Sequence, residues 1–104
     1  MKEIKAYVRP VLIDKVVDAL ARIEGLNGIA IVPTRDYVHC EHHENLERIR
    51  IIKVEVDVSD DLVETVVKTI LENARSGEGH PGDGTVLVSE IASGWRVRDG
   101  QKLP

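Results

Sequence analysis

The sequence predicts an α+β domain of ferredoxin-like, βαββαβ architecture: a four-stranded antiparallel sheet with two helices on one face. Three observations carry this. Residues 3–9 and 49–58 alternate apolar and polar side chains with the period of a half-buried strand. Residues 14–23 and 62–74 repeat apolar positions with the period of an amphipathic helix. Pro10, Gly25, Gly28, Pro33 and Gly77 mark changes of period, and Ser59-Asp60-Asp61 marks the one between residues 58 and 62.

In the first strand Ile4, Ala6 and Val8 face one way and Glu3, Lys5, Tyr7 and Arg9 the other, and Pro10 ends it. Asp14 is the expected N-cap of a helix carrying Val16, Val17, Ala19, Leu20 and Ile23, closed by Gly25 and Gly28. Ile29 to Pro33 form a second strand. Residues 34–48 are polar, rich in His and Glu, and without an apolar period, which predicts an exposed connection. In the third strand Ile52, Val54, Val56 and Val58 share a face. Ser59-Asp60-Asp61 is the expected cap of a helix with the stripe Leu62, Val63, Val66, Val67, Ile70, Leu71 and Ala74. Gly77 ends that helix, residues 85–91 form a fourth strand, and residues 94–104 are a turn-like tail. The halves match in element order without an evident sequence repeat. Two helices cover one sheet face only, so the face bearing Lys5, Tyr7 and Val32 is expected to meet other copies of the chain.

A length of 104 residues suits one domain with one core. With aromatic residues at 3%, that core must be built from Val, Ile, Leu and Ala. A net charge of −4 speaks against nucleic-acid or anionic-membrane partners, which call for a basic patch. No long apolar run and no signal peptide are evident, so the expectation is a cytoplasmic protein without membrane insertion. Cys40 is the only cysteine, which excludes an internal disulfide.

The densest information lies between residues 77 and 98. Gly77-Glu78-Gly79-His80-Pro81-Gly82-Asp83-Gly84-Thr85 runs into a strand, and Arg96-Val97-Arg98 follows. Glycine lets backbone N–H groups approach a phosphate closely. Arginines two apart on a strand share a side and can fork onto phosphate oxygens. The alternative is a plain turn with two surface arginines. A second cluster is His39-Cys40-Glu41-His42-His43-Glu44, whose donors suit a divalent transition metal. His39 and His43 could share one ion if the segment turned helical; the alternative is a polar loop in which histidines cluster by accident. Cys40 has no evident base or oxyanion donors beside it, and no Walker loop or nucleophile elbow occurs, so an enzyme is not expected. Trp95 is expected to anchor a core or a subunit interface.

Taken in order, these motifs resemble the PII signalling proteins over nearly the whole chain. The segments that match are Met1–Pro10, Leu12–Leu20, Ile52–Val56, Asp60–Val67, Gly82–Gly84 and Arg96–Gly100. The resemblance implies a homotrimer with an adenine nucleotide (ATP, ADP or AMP) in each inter-subunit cleft. Gly82, Asp83, Gly84, Thr85, Arg96 and Arg98 would hold that cofactor. It also implies that the long loop after the second strand, the T-loop, docks on a regulated target protein, with membrane transporters among the candidates.

Departures qualify it. The T-loop region is short and lacks the family's glycines, its glutamine and its tyrosine in the usual context; Tyr37 comes too early. His80-Pro81 is inserted, Thr85 replaces a phosphate-binding lysine, and Ile51 replaces a basic residue. These speak against a 2-oxoglutarate site and for weaker ATP binding or a different preferred nucleotide. A competing expectation is a metal-responsive protein similar to the CutA proteins, using His39, Cys40, His42 and His43.

Overall fold

A computed structural model of the protein describes residues 1–39 and 46–104. Strand β1 (Lys2–Val8) leads through a 3-10 turn (Pro10–Leu12) into helix α1 (Ile13–Ala21). Strands β2 (Ala30–His39) and β3 (Leu46–Val58) follow. A second 3-10 turn (Asp60–Leu62) leads into helix α2 (Val63–Ala74), and β4 (Val86–Glu90) completes the fold. The four strands form one sheet in the order β2-β3-β1-β4, every pair antiparallel. With two helices on one face, this is the expected ferredoxin-like α+β arrangement.

The core lies between that face and the helices. Ile4, Ala6 and Val8 of β1 and Val54, Val56 and Val58 of β3 are buried against Val16 and Leu20 of α1 and Val66 and Ile70 of α2. The register pairs Ile4 with Val56 and Ala6 with Val54, so the buried residues of neighbouring strands lie side by side. Each buried Val, Leu or Ile contributes about 1.5–3 kcal/mol relative to leaving it in water.

The halves are more alike than the sequence suggested. Residues 11–20 and 61–70 have the same succession of buried, half-buried and exposed positions. Offset by fifty positions, Leu12-Ile13-Asp14-Lys15-Val16-Val17 becomes Leu62-Val63-Glu64-Thr65-Val66-Val67, and Leu20 becomes Ile70. The repeat is one of side-chain class and burial; its few identities hide it from a reading residue by residue.

The helix starts differ from expectation. Asp14 lies in the first turn of α1, whose N-cap is Leu12, and neither helix has a side-chain cap. In both halves the preceding 3-10 turn redirects the chain and takes the cap's place. Asp60 instead lies 3.0 Å from the amino terminus and 3.3 Å from Lys2 Nζ.

The expected exposed connection over 34–48 is strand as far as His39 and again from Leu46. Its apolar positions are sparse because the ribbon extends past the helices, so strand pairing holds it without a core-facing stripe. The register continues to His39 opposite Leu46. On the sheet face without helices, Glu3 and Lys5 (3.2 Å) and Lys53 and Glu55 (2.9 Å) form ion pairs. No helix among the described residues is long and apolar enough to cross a membrane.

Candidate functional site

The glycine loop folds against the end of β1. Tyr7 N–H donates to the Thr85 carbonyl at 2.9 Å, which joins the loop's last residue to the sheet. Asp83 braces the loop from within. Its Oδ2 accepts from the backbone N–H of Ser76 and of His80, both at 3.0 Å. Its Oδ1 is buried without a hydrogen-bond partner among the described residues, 3.8 Å from Arg9 Nη1. Arg9 Nη1 also donates to Ser76 Oγ at 3.0 Å. The Ser76 and His80 bonds, with the Arg9 charge, hold the Asp83 carboxyl below the usual carboxylate range.

Two of the backbone donors expected to cradle phosphate are spent inside the loop. Gly82 N–H donates to His80 Nδ1 at 2.8 Å, and Asp83 N–H to the His80 carbonyl at 2.9 Å. The inserted His80 thus shapes the turn. The Gly84 and Thr85 N–H groups and the Thr85 hydroxyl are left as the donors the loop can offer. The Asp83 carboxylate points into the loop as a brace.

Beside this loop lies a groove of about 560 Å³, within the range of about 300–1,000 Å³ usual for small-molecule sites. His80 to Thr85 form one wall, Asp36, Val38, His39, Ile49 and Ile51 of the β2–β3 ribbon the other, and Tyr7 lines it from β1. Thr34 Oγ1 donates to Asp36 Oδ1 at 2.9 Å. No lysine or arginine is among the described residues lining the groove; His80 stands in its loop wall and His39 at its rim. Ile51, where the resemblance expects a basic residue, is a buried part of its apolar wall.

Arg96 and Arg98 lie elsewhere. The tail closes on itself through a bridge between Trp95 and Lys102, with Lys102 Nζ 5.9 Å from the centre of the Trp95 ring. Trp95 is 59% exposed, so it anchors no core within this chain. Arg98 sits in a turn, so the two arginines do not alternate along a strand. Arg96 Nε and Nη2 both reach the Asp99 carboxylate, Nη2 at 2.7 Å from Oδ2, and Arg98 Nη2 is 3.8 Å away. The Arg96 bonds depress the Asp99 carboxyl. The tail is tied to the start of β1 by Ile91 N–H on the Met1 carbonyl at 3.2 Å, whereas the glycine loop is tied to its end. A strand of this length separates the two by about 20 Å. One chain therefore brings together Gly82, Asp83, Gly84 and Thr85, and leaves Arg96 and Arg98 apart from them.

Of the metal candidates, Cys40, His42 and His43 lie outside the described residues. His39 has strand backbone at the rim of the groove, so it does not begin the helical turn considered above. Among the described residues no group of three or more His, Cys, Asp or Glu is placed to hold a metal ion. The residue that sequence reasoning missed is Arg9. It reads as the end of a strand, and only the fold brings it under a loop more than sixty positions away.

Comparison with known proteins agrees with this geometry. The model of the family described as nitrogen regulatory protein P-II matches residues 1–101. The chain is 32% identical to a nitrogen regulatory protein P-II of Klebsiella oxytoca and to P-II 1 of Escherichia coli K12, in alignments that cover 98% of this chain and 96% of each relative. A P-II protein of Bradyrhizobium diazoefficiens is also 32% identical, over 97% of this chain and 95% of its own length. The family comprises signalling regulators and not enzymes, and metal-binding finds no support in these matches. On fold and sequence together, this chain belongs to the nitrogen regulatory protein P-II family.

Proposed function

We propose that the protein is a cytoplasmic homotrimeric regulator that binds an adenine nucleotide between subunits and acts on a target protein through the β2–β3 ribbon. The observation that carries this is a mismatch within one chain. Among the described residues the groove has a glycine wall with free N–H groups and no lysine or arginine lining it. Arg96 and Arg98 do not line it, and they belong to a tail tied to the other end of β1. A triphosphate or diphosphate needs both parts, because backbone donors orient the phosphates and arginines neutralise them. A second copy packed on the uncovered sheet face would supply what the first lacks, and a closed ring of such contacts gives a trimer.

Thr85 offers a hydroxyl and no charge, so affinity for ATP is expected to fall below that of a site with a lysine there. The target is a protein, with membrane transporters among the candidates.

Subunit mixing tests the shared site. Asp83→Ala damages the loop and Arg98→Ala the tail, so each homotrimer should bind ATP poorly. Trimers reassembled from the two mutants should recover part of the sites, since some interfaces pair an intact loop with an intact tail. If mixing restores nothing, and each mutant remains trimeric, loop and tail do not belong to one site.

A further inference from the structure

The outer part of the ribbon carries a second constellation, on the opposite side from the groove. Alternation along paired strands puts Arg35, Tyr37 and His39 of β2 on one face with Leu46, Arg48 and Arg50 of β3. The register sets Arg35 directly opposite Arg50 and Tyr37 opposite Arg48. Like charges directly opposite on a strand pair destabilise it. Among the described residues none of these arginines has an ion pair or hydrogen bond, and all are exposed. Elsewhere Lys2, Lys5, Arg9, Lys53, Lys68 and Arg96 are matched with carboxylates. Alternation leaves no carboxylate on this face of the ribbon among the described residues. Pro33, Thr34, Arg35, Arg48 and Arg50 enclose an open depression of about 660 Å³.

We infer that this face binds an acidic, extended segment of a partner protein. The inference deepens the proposed function and rests on reading the ribbon as the element that meets the target. Uncompensated guanidinium groups call for an anion, and three of them on two neighbouring rungs call for more than one. The Arg35–Arg50 and Tyr37–Arg48 rungs lie about 7 Å apart, the repeat between every second side chain of an extended chain. Carboxylates on alternate residues of a peptide therefore match the rungs. The face is open, which suits a segment laid across it and leaves a small ion mostly in water. Tyr37 (59% exposed) and Leu46 (52% exposed) supply apolar area beside the charges. Arginine and tyrosine are the side chains enriched where interfaces draw most of their energy.

The test uses the whole protein and a fluorescein-labelled decapeptide of alternating glutamate and serine, with a glutamine-for-glutamate peptide as control. Anisotropy should report binding of the glutamate peptide that weakens as salt rises, with at least tenfold weaker binding of the glutamine peptide. Combining Arg35→Ala, Arg48→Ala and Arg50→Ala should weaken glutamate-peptide binding by at least tenfold. Nucleotide affinity, measured on the same sample, should remain that of the unaltered protein, and circular dichroism should show the same fold, which separates this inference from the nucleotide reading. Equal binding of both peptides, no binding by the unaltered protein, or undiminished binding by the triple variant would overturn it. Stoichiometric displacement of the peptide by inorganic triphosphate at comparable affinity would also overturn it, in favour of a small-polyanion site.

Discussion

Gly84 meets the Tyr7 carbonyl so closely that a Cβ at position 84 would stand 1.5 Å from the oxygen. No side chain can occupy that space, and the obstacle is backbone that cannot swing aside. Gly84 is thus fixed by the approach of loop to sheet, the same approach that forms one wall of the groove. Gly84→Ala should force loop and strand apart. The expected cost is about 3 kcal/mol, at the upper end for overpacking. Denaturant unfolding would measure it, and ATP binding should be lost in the fraction that still folds. A substitution within experimental error of the unaltered protein would show that the loop does not sit on Tyr7.

Asp83 holds the loop closed through two backbone N–H groups. Asp83→Ala should raise amide exchange at Ser76 and His80 by at least tenfold while leaving β1 and β3 protected. Residue-resolved hydrogen exchange reads this directly. Unchanged protection at both amides would show that the carboxylate is no brace.

The acid limb of stability should follow three carboxylates. The carboxyls of Asp60, Asp83 and Asp99 all lie lower in the fold than in the free chain, with the amino terminus, the Ser76 N–H and Arg96 as the respective leading causes. A lowered folded value gives stability that is present above the unfolded value of about 3.9 and is lost as pH falls through the folded one. Lys2 and Lys53 are raised, chiefly by Glu90 and Glu55. Their contribution is complete below about pH 10 and disappears as pH rises through the folded values. Melting temperature should therefore be nearly flat from pH 5 to about pH 9, then fall below about pH 4 and above about pH 10. Asp83→Asn should soften the acid limb.

Arg35 opposite Arg50 should cost stability in the free protein. Replacing either by threonine, a good strand former, should raise the melting temperature by about 1–4 °C at low salt. The gain should vanish near 1 M salt, where screening removes the repulsion. A loss of stability at low salt would show that these arginines already have a counter-charge.

Much of the fold was legible because its signals are local and periodic. Val54, Val56 and Val58 announce a half-buried strand, and Val66, Val67 and Ile70 a helix stripe, whatever lies around them. The outer ribbon was not legible, because Thr34 to His39 pair with β3 beyond any core and need no apolar face to do so. The helix starts misled for a related reason. Asp14 and Asp60 are good cap residues, but the 3-10 turns had already redirected the chain. In the site, the glycines announced a tight loop correctly. What each does depends on contacts between distant segments, such as Arg9 with Ser76 and Gly84 with Tyr7. The two arginines of the tail showed their charge in the sequence but not their separation from the loop or their engagement with Asp99.

Calorimetric titration of the purified protein with ATP, ADP and AMP, with the assembly state measured by ultracentrifugation in the same buffer, tests the central claim most directly. The account predicts a trimer that binds at least one of these nucleotides with one site per subunit, and at least tenfold weaker binding after Arg96→Ala or Arg98→Ala. A folded protein that binds none of them at millimolar concentration, or one that binds fully as a monomer, would contradict it.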